Sequence, residues 1–161
     1  MERVLLGFGS NFGTCRKTLE DGWRELAAVP EIETVQISRF HETQPIGGPA
    51  DQPNYLNAVA LIRTTLTPQQ LLDVLHDIER RFGRVRTERW GPRTLDIDIL
   101  LFGDLIVKTE TLIIPHLEML KRDFVMLPAL EVAPDFIHPE TKQPLGSLVQ
   151  SNTEHRTPNT E

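Results

Sequence analysis

The stretch from Leu95 to Phe102, LDIDILLF, leaves little freedom in how this chain can fold. Alternate side chains of a β-strand share a face, so Asp96 and Asp98 point one way while Leu95, Ile97 and Ile99 point the other. Such a strand needs an apolar layer on one side and an open polar space on the other. Aspartate suits strands poorly, and an unpaired carboxylate in so apolar a run is costly, so the two acids need partners. Two residues of rise set their Cα atoms roughly 6–7 Å apart, within reach of one or two hard divalent cations. The competing partner is arginine, in a purely structural Asp–Arg network.

Arginines are close at hand. Six of them, at positions 80, 81, 84, 86, 89 and 93, fall within fourteen residues, with Trp90 among them. Guanidinium forks beside metal-holding oxygens suit a polyphosphate held through magnesium. The whole chain carries a formal net charge of −6, which disfavours general attraction to nucleic acid or anionic lipid. A local basic site on an acidic protein fits a small, highly anionic ligand better than a long polyanion, which would also meet the acidic remainder. The rival reading is a nucleic-acid-binding module built on the arginine loop and Trp90. We expect no nucleic-acid partner and no membrane partner.

At 161 residues and 39% apolar content the chain fits one domain with its own core, expected over residues 1–150 and followed by a polar, disordered tail at 151–161. The single cysteine, Cys15, has no internal disulfide partner, consistent with a reducing compartment. Met1 to Gly7 is too short in apolar length for a signal peptide, and no run approaches the roughly 20 apolar residues of a membrane span. A cytoplasmic location is expected.

In order, Arg3–Gly9 reads as a buried strand. The glycines of Gly7–Gly13 lack the spacing of a dinucleotide fingerprint, so this stretch reads as a strand-to-helix turn, with Ser10, Asn11 or Thr14 able to cap the helix. Leu19, Trp23, Leu26 and Ala27 recur at helical spacing up to Pro30. Ile32–Phe40 reads as one half-buried strand, and Thr43–Pro53 as an irregular loop with three prolines and two glycines. Tyr55–Arg63 is a strand with Tyr55, Asn57 and Val59 on one face. Thr67-Pro68-Gln69-Gln70 is a capping box opening a helix that runs to about Phe82; His76 and Glu79 lie on its flank. Gly103-Asp104 reads as a hairpin turn into a strand at Leu105–Lys108, and Asp123–Ala133 as a short helix interrupted at Pro128. The order is β–α–β–β–α–β plus a trailing hairpin strand and helical piece. That is the α+β class: a ferredoxin-like α/β sandwich with a mostly antiparallel sheet and its helices on one face.

Gly9-Ser10-Asn11, Asp51 to Ala58 (DQPNYLNA), Arg84-Val85-Arg86, Glu88 to Asp98 (ERWGPRTLDID), Pro115-His116 and Arg122-Asp123-Phe124 together resemble the 6-hydroxymethyl-7,8-dihydropterin pyrophosphokinases of folate biosynthesis. The likeness runs from about residue 3 to residue 146. It implies transfer of a diphosphate from ATP to the hydroxymethyl oxygen of the pterin, with AMP as the second product. Also implied are two Mg²⁺ ions on Asp96 and Asp98, and catalytic roles for Arg84 and Arg93 beside those acids. The implied ATP contacts are His76, Glu79, Arg86, Arg89, Trp90, Arg93, Ile99, His116 and Arg122. For the pterin the resemblance implies Thr43, Gln44, Ile46, Tyr55, Asn57, Trp90 and Phe124, with two aromatic faces enclosing the flat bicycle. The hydroxyl proton is left to Asp96, phosphate or water. A monomer is expected, with loops Thr43–Pro53 and Gly83–Thr94 closing over the nucleotide. Four positions depart from the commoner family pattern: Gln44 for proline, Thr111 for arginine, Ile113 for a hydroxyl residue and Leu117 for tyrosine.

Overall fold

Three strands that are apolar on at least one face make up most of the sheet: β1 (Glu2–Ser10), β4 (Tyr55–Thr64) and β5 (Asp96–Phe102). The computed structural model describes residues 1–11, 15–43, 55–83 and 95–148. The arginine loop at 84–94, the proline-punctuated stretch at 44–54, the Thr14 cap and the tail at 151–161, with the expectations placed on them, lie outside those residues. With β2 (Ile32–Ile37) the strands run in the order β2-β4-β1-β5, and β3 (His41–Thr43) pairs with β4 beyond the end of β2. Every pairing in this sheet is antiparallel, as the βαββαβ order requires.

Helices α1 (Cys15–Ala27) and α2 (Pro68–Gly83) share one face of the sheet. There Val4, Leu6 and Phe8 of β1, Ala60 and Ile62 of β4 and Ile97 and Ile99 of β5 pack against Leu19, Leu26, Leu71, Leu75 and Ile78. Trp23 is half-buried and meets Phe8 edge-on, ring centres 6.3 Å apart. The capping box of α2 is reciprocal: the Gln70 amide donates to Thr67 Oγ1 (3.2 Å) and the Thr67 amide to Gln70 Oε1 (2.9 Å), filling two backbone donors that a helix start leaves open.

The opposite face is divided. Its apolar half, Leu5, Val59, Leu61, Leu100 and Leu101, is covered by Met119 and by Met126, Ala129 and Val132 of α3 (Asp123–Val132). Its other half carries Asp96 and Asp98. The division is made by a bulge in β5: Leu5 pairs with Leu101 and Leu6 with Ile99, leaving Leu100 as the extra residue. Leu100 and Leu101 can therefore both face α3.

Four local expectations are corrected. The strand expected at Ile32–Phe40 is β2 and ends at Ile37: the Ser38 amide still donates to the Val59 carbonyl (2.8 Å), but the Ser38 hydroxyl accepts from the Val59 amide (3.0 Å) and donates to the Arg39 carbonyl (2.7 Å), taking the place of a ladder bond ahead of β3. The strand expected at Arg3–Gly9 is β1, which runs on to Ser10, so the turn read from Gly7 onward does not begin before Asn11. Past Gly103, whose φ of +53° suits glycine, β6 (Val107–Lys108) pairs with β7 (Ile113–Ile114) rather than folding back on β5. Helix α3 runs unbroken through Pro128, which is buried in it with Met126, Ala129 and Val132; tertiary packing offsets the missing hydrogen bond.

Glu131 of α3 ties that helix to the edge of the sheet. It accepts from the Arg39 amide at 2.8 Å and pairs with His41 Nε2 at 2.6 Å. Burial pushes its carboxyl pKa up, but the Arg39 amide, the His41 ring and the Arg39 guanidinium outweigh burial and hold it below the ordinary value of about 4.5. A carboxyl lowered by folding stabilises the native state above its unfolded pKa, and that contribution is lost as pH falls through the folded one. Glu131→Gln is therefore expected to lower stability at neutral pH and to flatten the fall in urea midpoint below about pH 4.5, measured as paired denaturation curves from pH 7 to 3.

Candidate active site

On the sheet face turned away from α1 and α2, one row of residues crosses three strands. Asn57 of β4 stands opposite Gly9 of β1, and Gly9 opposite Asp96 of β5; Gly7 stands opposite Asp98. With no side chain on Gly7 or Gly9, the Leu100 side chain comes within 3.5 Å of where a Gly7 Cβ would stand, and main chain floors the space at Gly9, between Asn57 and Asp96. A cavity of about 590 Å³ opens over it, bounded by Thr43 and Tyr55 on one side and by Arg122 and Phe124, where α3 begins, on the other. Asn57 Nδ2 donates to Thr43 Oγ1 at 2.9 Å, and its Oδ1 lies 3.4 Å from where a Gly9 Cβ would stand. The Arg122 guanidinium sits 5.6 Å from the centre of the Phe124 ring, within cation–π range.

A second cavity of about 430 Å³ lies beyond the outer edge of β5, between the flank of α2 and the segment that carries β7. Asp96, Asp98 and His116 border both spaces. The His116 amide donates to the Leu100 carbonyl (3.0 Å), and its ring Nδ1 accepts from the Glu118 amide (3.1 Å). In the neutral ring that bond assigns the proton to Nε2. The second cavity is acidic: Glu79, Glu110 and Glu118 join the two aspartates, and no Lys or Arg borders it among the described residues.

The donor set can be tested against a metal. Among the described residues, no three His, Cys, Asp or Glu side chains converge on one point. Two carboxylates facing one space are too few for a caged calcium or a structural zinc. They do fit magnesium, which keeps waters and takes one or two carboxylates together with substrate phosphates.

Of the residues singled out in the sequence, Asp96, Asp98, Thr43, Tyr55, Asn57, His116, Arg122 and Phe124 gather at the larger cavity. His76, Glu79 and Ile99 border the smaller one, as do Thr111, Ile113 and Leu117, three of the positions that depart from the family pattern. Gln44, Ile46, Arg84, Arg86, Arg89, Trp90 and Arg93 lie outside the described residues. Sequence reasoning gave no role to Gly7, Gly9, Lys121 or Asp123, although Gly9 and Asp123 stand in the quoted motifs; all four border the larger cavity. The two glycines left a readable signal, since a spacing of two within an apolar strand puts both on one face.

Comparison with known proteins agrees with this architecture. A curated Haemophilus influenzae protein named 2-amino-4-hydroxy-6-hydroxymethyldihydropteridine pyrophosphokinase is 42% identical over 97% of this chain and 96% of its own length. A Pseudomonas aeruginosa protein of the same name is also 42% identical, over 87% of this chain and 86% of its own. In a crystal structure of Plasmodium falciparum HPPK-DHPS with pteroate, the superposition has a TM-score of 0.75 at 14% identity, covering 96% of this chain and 43% of that one. The structural likeness bears on the fold alone, and this chain spans less than half of that longer protein. The family described as 7,8-dihydro-6-hydroxymethylpterin-pyrophosphokinase (HPPK) matches residues 5–134. On that match and those identities, the chain belongs to this family.

Proposed function

We propose that the chain transfers a diphosphate from ATP to 6-hydroxymethyl-7,8-dihydropterin, with the pterin in the larger cavity and the nucleotide in the smaller. The observation that carries this assignment is that the two spaces meet at Asp96, Asp98 and His116. A hydroxyl entering from one side and a phosphate chain from the other would come together there. The hydroxymethyl oxygen bonds to the β-phosphorus, the bond from that phosphorus to the α,β-bridging oxygen breaks, AMP leaves, and the hydroxyl proton passes to Asp96, phosphate or water.

The chemistry of the residues supports these roles. Asp96 and Asp98 would hold two Mg²⁺ ions, which when bound neutralise phosphate oxygens and keep the reacting groups in line. The acidic wall of the smaller cavity repels free polyphosphate and favours the metal-loaded form. His116 presents an Nε2–H donor suited to a phosphate oxygen, and Arg122 a fixed positive charge. Asn57, oriented by Thr43, reads the edge of the pterin, while Tyr55 and Phe124 offer flat apolar surfaces. The roles implied by the resemblance are proposed for Arg84 and Arg93 at the phosphates, for His76, Arg86, Arg89, Trp90 and Ile99 as ATP contacts, and for Gln44, Ile46 and Trp90 around the pterin; Glu79 borders the smaller cavity and accepts from the Ile97 amide. No helix among the described residues is long and apolar enough to cross a membrane; we place the enzyme in the cytoplasm, as a monomer with one catalytic domain over residues 1–150.

Purified chain incubated with ATP, Mg²⁺ and the hydroxymethyl pterin should yield pterin diphosphate and AMP, identified by mass. Accumulation of ADP would overturn the reaction type. Asp96→Ala and Asp98→Ala are each expected to lower kcat by more than ~100-fold, the scale on which preorganised charge at a transition state acts, with an unchanged circular dichroism spectrum. Asn57→Ala should raise the pterin KM by about 10-fold, the worth of one hydrogen bond, and leave the KM for ATP unaltered in steady-state assays.

A further inference from the structure

Among the described residues, the first half of β5 is paired along one edge only. On its inner side Ile97 stands opposite Phe8 and Asp96 opposite Gly9. Among the described residues no strand pairs with its outer side, and the segment after β7 reaches it only at the Leu100 carbonyl. The Ile97 amide donates instead to Glu79 Oε2 on α2, at 2.7 Å. Ile97 is the residue between Asp96 and Asp98.

An edge amide next to an open cavity can be satisfied by water at little cost. The group that meets it is instead a carboxylate, on a wall that also holds both aspartates. It gives that one peptide a short, charge-assisted bond. The strand is anchored elsewhere as well: the Leu95 and Ile97 side chains are each 2% exposed in the core below, and β1 holds the inner edge. Glu79 supplies the remaining side.

We infer that Glu79 is a positioning residue, whose bond to the Ile97 amide fixes the peptide between Asp96 and Asp98 and so sets the spacing at which the two carboxylates meet a cation. This rests on the reading of those aspartates given above, and it differs from a direct contact to ATP. Magnesium tolerates little departure from octahedral geometry, so a strand edge loosened into water would meet it poorly. The bond also joins α2 to the acidic strand four residues before that helix ends at Gly83.

The test compares Glu79→Gln, which keeps an acceptor without the charge, with Glu79→Ala, which removes both. In the ligand-free full-length chain, amide exchange at Ile97, followed by NMR, should stay near the parent rate in Glu79→Gln and rise by more than ~10-fold in Glu79→Ala. With substrates, Glu79→Ala should lose ~10–100-fold in kcat and need correspondingly more Mg²⁺ for half-maximal rate, as loss of an outer partner to a metal ligand does. Its pterin KM should hold, and Glu79→Gln should recover most of the rate. A Glu79→Gln chain that protects Ile97 yet is as slow as Glu79→Ala overturns the inference in favour of direct contact. A Glu79→Ala chain with parental kcat and Mg²⁺ dependence overturns it as well. If Glu79→Ala does not fold, Glu79→Gln against the parent still decides, since protection with parental rate supports the inference and protection with a lost rate refutes it. Failure of the activity reading would be separate: the parent itself would make no AMP, while exchange at Ile97 would still distinguish the two variants.

Discussion

The architecture depends on strict alternation across the front of β5. Leu95, Ile97 and Ile99 must enter the layer beneath α1 and α2, which commits Asp96 and Asp98 to the other face. A slip of one residue would put both acids into the core. The alternation is secured from several directions, by pairing with β1, by burial of Leu95 and Ile97 and by the bond from Ile97 to Glu79. The apolar layer, which has no chemistry of its own, is therefore what aims the acids.

From this follows the division of the second face. Were α3 to cover it all, the carboxylates would lose their water, which is costly for a charged group. The bulge at Leu100 instead turns two successive leucines toward α3 and ends the covered half there. On this face the β5 residues before the bulge, Asp96 and Asp98, border the open cavities. The polar residues that gather there come from β3, β4, β5, the segment after β7 and the start of α3.

How much of this was legible in the sequence depended on how local the cause was. The α2 capping box, the shared face of Tyr55, Asn57 and Val59, and the acidic face of β5 follow from spacing along a few residues, and the structure has them. The break at Ser38 depends on a hydroxyl meeting Val59, 21 positions away. Continuity of α3 through Pro128 depends on a sheet surface assembled from distant strands. The pairing of β6 with β7 depends on which partner the chain meets after Gly103. For the site, side chains with chemistry were readable one by one, and the resemblance supplied their grouping. The two glycines were not read as part of it, since what they provide is the lack of a side chain.

Gly9, together with Gly7 beneath the Leu100 side chain, puts main chain into the floor of the larger cavity. Substitution can reshape a wall gradually, methyl by methyl, but a bare-backbone base offers evolution nothing to trim. Any replacement there adds bulk. Discrimination among flat heterocycles must then be adjusted from the sides and the roof, and a compound made thicker toward the sheet would be refused whatever polar groups its rim displayed.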